Sequence, residues 1–178
     1  MFSSKDRATY THTAIDATLD LVQSHGINPE DVEEVLVETY SDAVDKAGEE
    51  MPRSTYKAKF SLKYCVAVSI LDKKCSLEQF SQRKLKDKRI WKLADKISVS
   101  VNPKLNREYP EKWPAIVTIK TSGGVFSEKC EYPKGDPRNP IVESELTEKF
   151  IELTSPLLKR DKSRQIIKKV MNFEDLTS

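Results

Sequence analysis

The stretch from Ser61 to Asp72 most constrains what this chain can fold into. Tyr64, Val66, Ala67, Val68, Ile70 and Leu71 leave almost no polar side to a helix over 61–72, with Ser61 as its N-cap. A helix that is apolar all round is buried, so other elements must cover it on more than one side. The rest of the chain has to supply that cover from 178 residues, 38% of them apolar and 33% charged. That length suits one domain, or one domain with a helical tail.

The covering elements can be read from hydrophobic periodicity. Residues 11–25 form an amphipathic helix in which Ala14, Ala17 and Leu21 share a face, with Ile15, Leu19 and Val22 beside it. Thr11 is its expected N-cap, and Gly26 ends it in the C′ position, where a positive φ is needed. Asn28-Pro29-Glu30-Asp31 starts a short helical turn, after which Val35, Val37 and Tyr40 alternate with polar residues as in a strand. Residues 41–57, with Gly48, Pro52 and many charges, read as a surface insertion. Ser76-Leu77-Glu78-Gln79 has a capping-box pattern, and a further helix over 86–95 carries Ile90, Trp91 and Leu93. Ile97, Val99 and Val101 then alternate with Ser98, Ser100 and Asn102. Residues 115–121 and 125–132 pair as a hairpin across Ser122-Gly123-Gly124, and helices follow at 143–154 and 163–172. Strands and helices are segregated rather than strictly alternating, which argues for an α+β fold with a small, mainly antiparallel sheet.

Charge and cysteine content exclude several function classes. Thirty basic and 28 acidic residues are interleaved, so no face is dedicated to nucleic acid. The basic run Lys159-Arg160-Asp161-Lys162-Ser163-Arg164 reads as a solvated helix face. No stretch approaches the ~20 apolar residues of a membrane span. Met1–Arg7 has no apolar core of the signal-peptide kind. Cys65, Cys75 and Cys130 lack metal-ligand spacing, and the expectation is of reduced thiols in a cytoplasmic protein.

The segment Tyr132-Pro133-Lys134-Gly135-Asp136-Pro137-Arg138-Asn139-Pro140 packs three prolines around a glycine, which makes a shaped, rigid loop rather than a linker. Two earlier blocks stand with it: Thr11-His12-Thr13-Ala14-Ile15-Asp16-Ala17 and Lys59-Phe60-Ser61-Leu62-Lys63-Tyr64. In order and separation the three blocks resemble the C-terminal lid domain of the MmgE/PrpD family over roughly residues 8–155. That family includes 2-methylcitrate dehydratase, cis-aconitate decarboxylase and an iminodisuccinate epimerase.

The resemblance implies an α+β lid over residues 1–142, with a small mixed, mainly antiparallel sheet packed against helices 11–25 and 61–72. The tail, 143–178, would be helical and join a helical domain that this sequence does not include. The implied function is lyase chemistry of the 2-methylcitrate dehydratase type on a small di- or tricarboxylate, as in propionate metabolism. A proton would leave a carbon next to a carboxylate, followed by loss of water or CO₂, or by reprotonation. No metal or organic cofactor is implied. Because the family's helical domain supplies further acid, histidine and lysine groups, the isolated chain is expected to be inactive. Its expected partners are a small carboxylate substrate and either a helical half-enzyme in trans or a second copy, as a dimer. The alternative is a non-catalytic binding or interaction module that keeps the lid fold.

Among individual residues, the two histidines differ. His25 beside Gly26 reads as a helix C-terminal residue, whose cation suits the dipole. His12 lies at the start of its helix, where exposed N–H groups favour anions and a neutral imidazole. Read from the residue alone it is an ordinary exposed histidine; the resemblance assigns it proton transfer, with Asp16 one turn below. Tyr64 matches the family's F-S-x-x-Y tyrosine, which reaches the cleft as a donor. The other reading of Tyr64 is a core residue whose hydroxyl finds a backbone partner. A basic residue before the histidine binds substrate carboxylate in the family, and the nearest match is Lys5.

Overall fold

A computed structural model describes residues 9–48 and 51–173. The chain forms two compact units, one ending at Lys134 and the other beginning at Gly135.

The first unit opens with helix α1 (Thr9–His25), closed by Gly26 at φ +60° as the C′ expectation requires. Asn28 caps a single 3₁₀ turn, Pro29–Asp31, which leads into strand β1 (Val32–Thr39). Helices α2 (Ser41–Ala47) and α3 (Thr55–Ala58) follow, then α4 (Leu62–Asp72). The segment expected as a surface insertion, 41–57, therefore holds α2 and most of α3, and Ala43, Ala47 and Pro52 are buried within it. Its buried residues are two alanines and a proline, too small to stand out as a hydrophobic period among the charges. Ser61 caps α4 as expected, accepting from Tyr64 N–H at 3.3 Å. The capping-box segment forms a 3₁₀ turn, Leu77–Phe80, in which Gln79 Oε1 accepts from Ser76 N–H at 3.0 Å. Then come α5 (Gln82–Leu85), α6 (Lys88–Ala94), β2 (Ile97–Val101) and α7 (Pro103–Glu108). Strands β3 (Ala115–Thr121) and β4 (Gly124–Cys130) make the expected hairpin.

The strands form a four-stranded sheet in the order β2-β1-β3-β4. β1 pairs parallel with β2, and both remaining pairs are antiparallel. A parallel pair cannot be closed by a tight turn. The long connection through α2–α6 supplies the crossover and carries the apolar α4 with it. In register, Val35 stands between Ile97 and Ile119, and Val37 between Val99 and Val117. These side chains share one face with Val32 and Ala115 and are covered by α1 and α4. Ser98, Ser100, Thr118 and Lys120 occupy the other face. The fold is α+β with a mixed, mainly antiparallel sheet, as expected. α4 is the centre of the core: Leu62, Tyr64, Cys65, Val66, Ala67, Val68, Ser69 and Ile70 are all buried.

In the second unit, Gly135 N–H donates to Asn139 O at 2.8 Å, and Asp136 pairs with Arg138 at 2.9 Å, which closes a tight local turn. Helices α8 (Glu143–Thr154) and α9 (Arg160–Met171) follow, α9 starting three residues before the expected 163. Arg160 bonds Glu148 at 2.8 Å and the Thr154 and Ser163 hydroxyls meet at 2.7 Å, joining the pair into a helical hairpin.

Candidate functional site

α1 packs Ala14, Ala17, Leu21 and Val22 into the core and leaves His12 exposed. His12 lies in the first described turn, where the helix end carries partial positive charge. Thr11 does not cap this helix, which already includes Thr9. Instead Thr11 is buried, 1% exposed, and its side chain hydrogen-bonds the Cys65 thiol on α4. A small residue with a satisfied hydroxyl fits the close approach of two helices better than a bulkier one. Asp16, one turn below His12, accepts from the backbone N–H of Lys134 at 2.8 Å. The acidic group thus ties the start of the proline-rich loop to α1.

Tyr64 has no accessible surface, and its hydroxyl donates to the Gln79 carbonyl at 2.7 Å. Burial pushes the phenol up to about 12, so it stays protonated as a donor. Of the two readings of this residue, the backbone-partnered core tyrosine is the geometry found. In this arrangement the hydroxyl is committed to the backbone. Lys5 lies outside the described residues. His25 packs at a tilt against Phe126, 4.5 Å between ring centroids, beside the positive-φ Gly26.

A polar and aromatic nest lies outside every sequence motif. Tyr10 of α1, Tyr40 after β1, Tyr109 after α7 and Trp113 converge. Tyr40 stacks on Tyr109 at 4.3 Å and 7°, and Tyr10 on Trp113 at 5.6 Å. Lys46 Nζ donates to the Tyr10 hydroxyl at 3.0 Å and to Asp42 at 3.1 Å, and the Tyr109 hydroxyl donates to Asp42 at 3.3 Å. The Tyr40 hydroxyl is buried without a hydrogen-bond partner. Burial raises its pKa, as do the neighbouring Tyr109 and Tyr10 phenols and Asp42. Only the i,i+4 pair Asp42/Lys46 was visible in the sequence; the aromatic partners come from separate segments.

None of these candidates lines the described cavity of about 120 Å³, which is bounded by Pro29, Glu30, Leu71, Arg89, Lys92, Leu93 and Lys96. Among the described residues no group of His, Cys, Asp or Glu is placed to hold a metal ion. No described helix is long and apolar enough to cross a membrane.

The family model for the MmgE/PrpD C-terminal domain matches residues 8–175. The chain belongs to the MmgE/PrpD family. Cis-aconitate decarboxylase of Mus musculus is 26% identical over 172 residues, covering 93% of this chain and 35% of that protein. The Homo sapiens protein of the same name is 25% identical over 125 residues, 70% of this chain and 26% of the relative. The Aspergillus terreus one is 26% identical over 132 residues, 72% of this chain and 27% of the relative. The chain therefore spans about a quarter to a third of the length of the relatives it matches. Within this MmgE/PrpD C-terminal domain the match takes in His12, Tyr64, the aromatic nest and both helices of the second unit.

Proposed function

We propose that this chain is the C-terminal part of a lyase acting on a small di- or tricarboxylate, with His12 as a proton-transfer group. The observation that carries the reading is an exposed histidine in the first turn of a helix whose other face is locked into the core, in a chain matched over 8–175 to the MmgE/PrpD C-terminal domain. The substrate candidates are cis-aconitate, in the name of the relatives, and 2-methylcitrate. In a decarboxylation the C–C bond to the leaving carboxylate breaks, CO₂ departs, and the electron pair left on carbon takes a proton. In a dehydration a proton leaves the carbon next to a carboxylate and hydroxide departs as water. Both need a group that holds or releases a proton near neutral pH, which imidazole does. Tyr64 supports the α4 side of the fold by tying the Leu77–Phe80 turn to that helix through the Gln79 carbonyl.

A closed, water-excluded site needs more groups than His12. They would come from a helical segment in cis or in trans, or from a second copy of the chain. The test mixes this chain with the helical part of a family relative and measures turnover of cis-aconitate and of 2-methylcitrate. Turnover of one of them is expected, reduced about 10²–10⁴-fold by His12→Ala. Undiminished activity of the His12→Ala mixture would refute the assignment. A second reading, a non-catalytic binding module, is favoured by the Tyr64 hydroxyl being committed to Gln79. It predicts complex formation with the helical part but no turnover of either acid.

A further inference from the structure

The cavity of about 120 Å³ lies at the other end of α1 from His12. His12 is in the first turn of that helix and Pro29 follows its C-terminal end, so about 20 Å of helix separates them. α6 supplies one wall, with Arg89, Lys92 and Leu93 at i, i+3 and i+4 on a single helical face. Leu71 near the end of α4 and Pro29 complete an apolar floor with Leu93, and Lys96 stands just beyond α6. The volume is several times the ~10–15 Å³ that one water needs. The three cations of the lining are held differently. Lys96 Nζ donates to the Val32 carbonyl at 2.5 Å, which fixes the ammonium at the wall and leaves two of its three donors. Arg89 donates to both Asp87 carboxylate oxygens, at 3.1 and 2.7 Å, so its charge is balanced. Lys92 sits exposed in the last turn of α6, where a cation suits the dipole, and makes no hydrogen bond or ion pair among the described residues. Exposed Glu30 is the one carboxylate of the lining.

We propose that this cavity binds a small carboxylate, with its oxygens between Lys92 and Lys96 and its short hydrocarbon part on Leu71, Leu93 and Pro29. The charge selects an anion, since the two ammonium groups outweigh the single carboxylate of Glu30. The floor selects a carboxylate over inorganic phosphate. A tetrahedral anion with oxygen on every side would press polar atoms against the two leucines, where no donor meets them, and that burial costs free energy. A carboxylate carries its oxygens at one end and presents carbon at the other, matching a lining with ammonium groups on one side and Leu71, Leu93 and Pro29 on the other. The bound acid would bridge α6, the end of α4 and the turn before β1, and so stabilise the first unit by mass action. This inference does not depend on the proton-transfer reading of His12, which lies outside the lining.

The test titrates the isotope-labelled full chain with formate, acetate, propionate and butyrate at constant ionic strength and follows backbone amide shifts by NMR. Sodium chloride and inorganic phosphate serve as comparison anions. Saturable shifts are expected, centred on residues 28–31, 71–72 and 89–96. Affinity should rise from acetate to butyrate by about threefold to fourfold per added methylene, the effect of burying each one. Phosphate should bind more weakly than butyrate. Lys92→Glu should weaken butyrate binding by about tenfold or more, since a charge-assisted hydrogen bond is lost. Lys104→Glu, the same charge change at an exposed position of α7 outside the lining, should leave it unaltered. Absence of a saturable shift would overturn the proposal, as would equal affinity for formate and butyrate, phosphate binding as tightly as butyrate, or indifference to Lys92→Glu. Shifts centred on the first turn of α1 would also overturn it, because the acid would then sit at the His12 end of the helix. The titration is read on the wild-type chain, so the site is located even if a variant fails to fold.

Discussion

Replacing Tyr64 by Phe separates the two readings of this residue. The substitution keeps the ring that fills the core beside Phe80, 6.0 Å away between centroids, and removes only the hydroxyl. That hydroxyl makes a 2.7 Å bond to the Gln79 carbonyl from a side chain with no accessible surface. Losing it leaves a buried acceptor without this donor, which costs about 1–3 kcal/mol. Urea unfolding followed by tryptophan fluorescence measures the loss cleanly. Both tryptophans, Trp91 and Trp113, lie in the first unit, so the signal reports the unit that contains Tyr64 and not the helical hairpin. The expected result is a lower midpoint at unchanged slope, since the same surface is exposed on unfolding. A change under about 0.5 kcal/mol would refute the reasoning, because it is the size of effect an ordinary surface substitution produces. The hydroxyl would then be energetically idle in the folded chain and available to a ligand.

Two further substitutions test other parts of the fold. Tyr40→Phe removes a buried hydroxyl that has no partner while keeping the stack on Tyr109; it should be neutral or stabilising by up to about 1 kcal/mol in the same unfolding assay, and a clear loss would contradict the orphaned state. Asp87 is held down to about 2, from an ordinary 3.8, by hydrogen bonds from the Arg89 side chain. The unfolded chain therefore binds the proton more readily, so Asp87 contributes stability above about pH 4 that is lost as pH falls through about 2. Asp87→Asn keeps a side-chain oxygen for the α6 N-cap and should flatten the acid limb of the stability profile; an unchanged limb would place the pH dependence elsewhere.

Local signals carried far in this chain. Ser61, Gly26, the capping box at Ser76 and the period-2 run from Ile97 to Val101 each act within a few residues, through one hydrogen bond, one φ value or one alternation. Each is found in the structure where the sequence placed it. The apolar girth of residues 62–71 demanded cover on several sides, and α4 is the helix at the centre of the core. Thr11 failed as a cap because helix limits depend on backbone beyond the residue itself, and burial against Cys65 suits the same small polar side chain. The helices in 41–58 escaped notice because alanine, their buried residue, is equally at home in a surface segment.

Composition and spacing thus settled the larger helices and the strands, the α+β class and the exposed position of His12, since all three rest on periodicity and on neighbours one helical turn away. The order β2-β1-β3-β4, the parallel β1/β2 pair, the bond from Tyr64 to Gln79 and the convergence of Tyr10, Tyr40, Tyr109 and Trp113 were decided only by tertiary packing. Each of these joins residues that no helical or strand period relates, and their meeting depends on which faces the core must bury together.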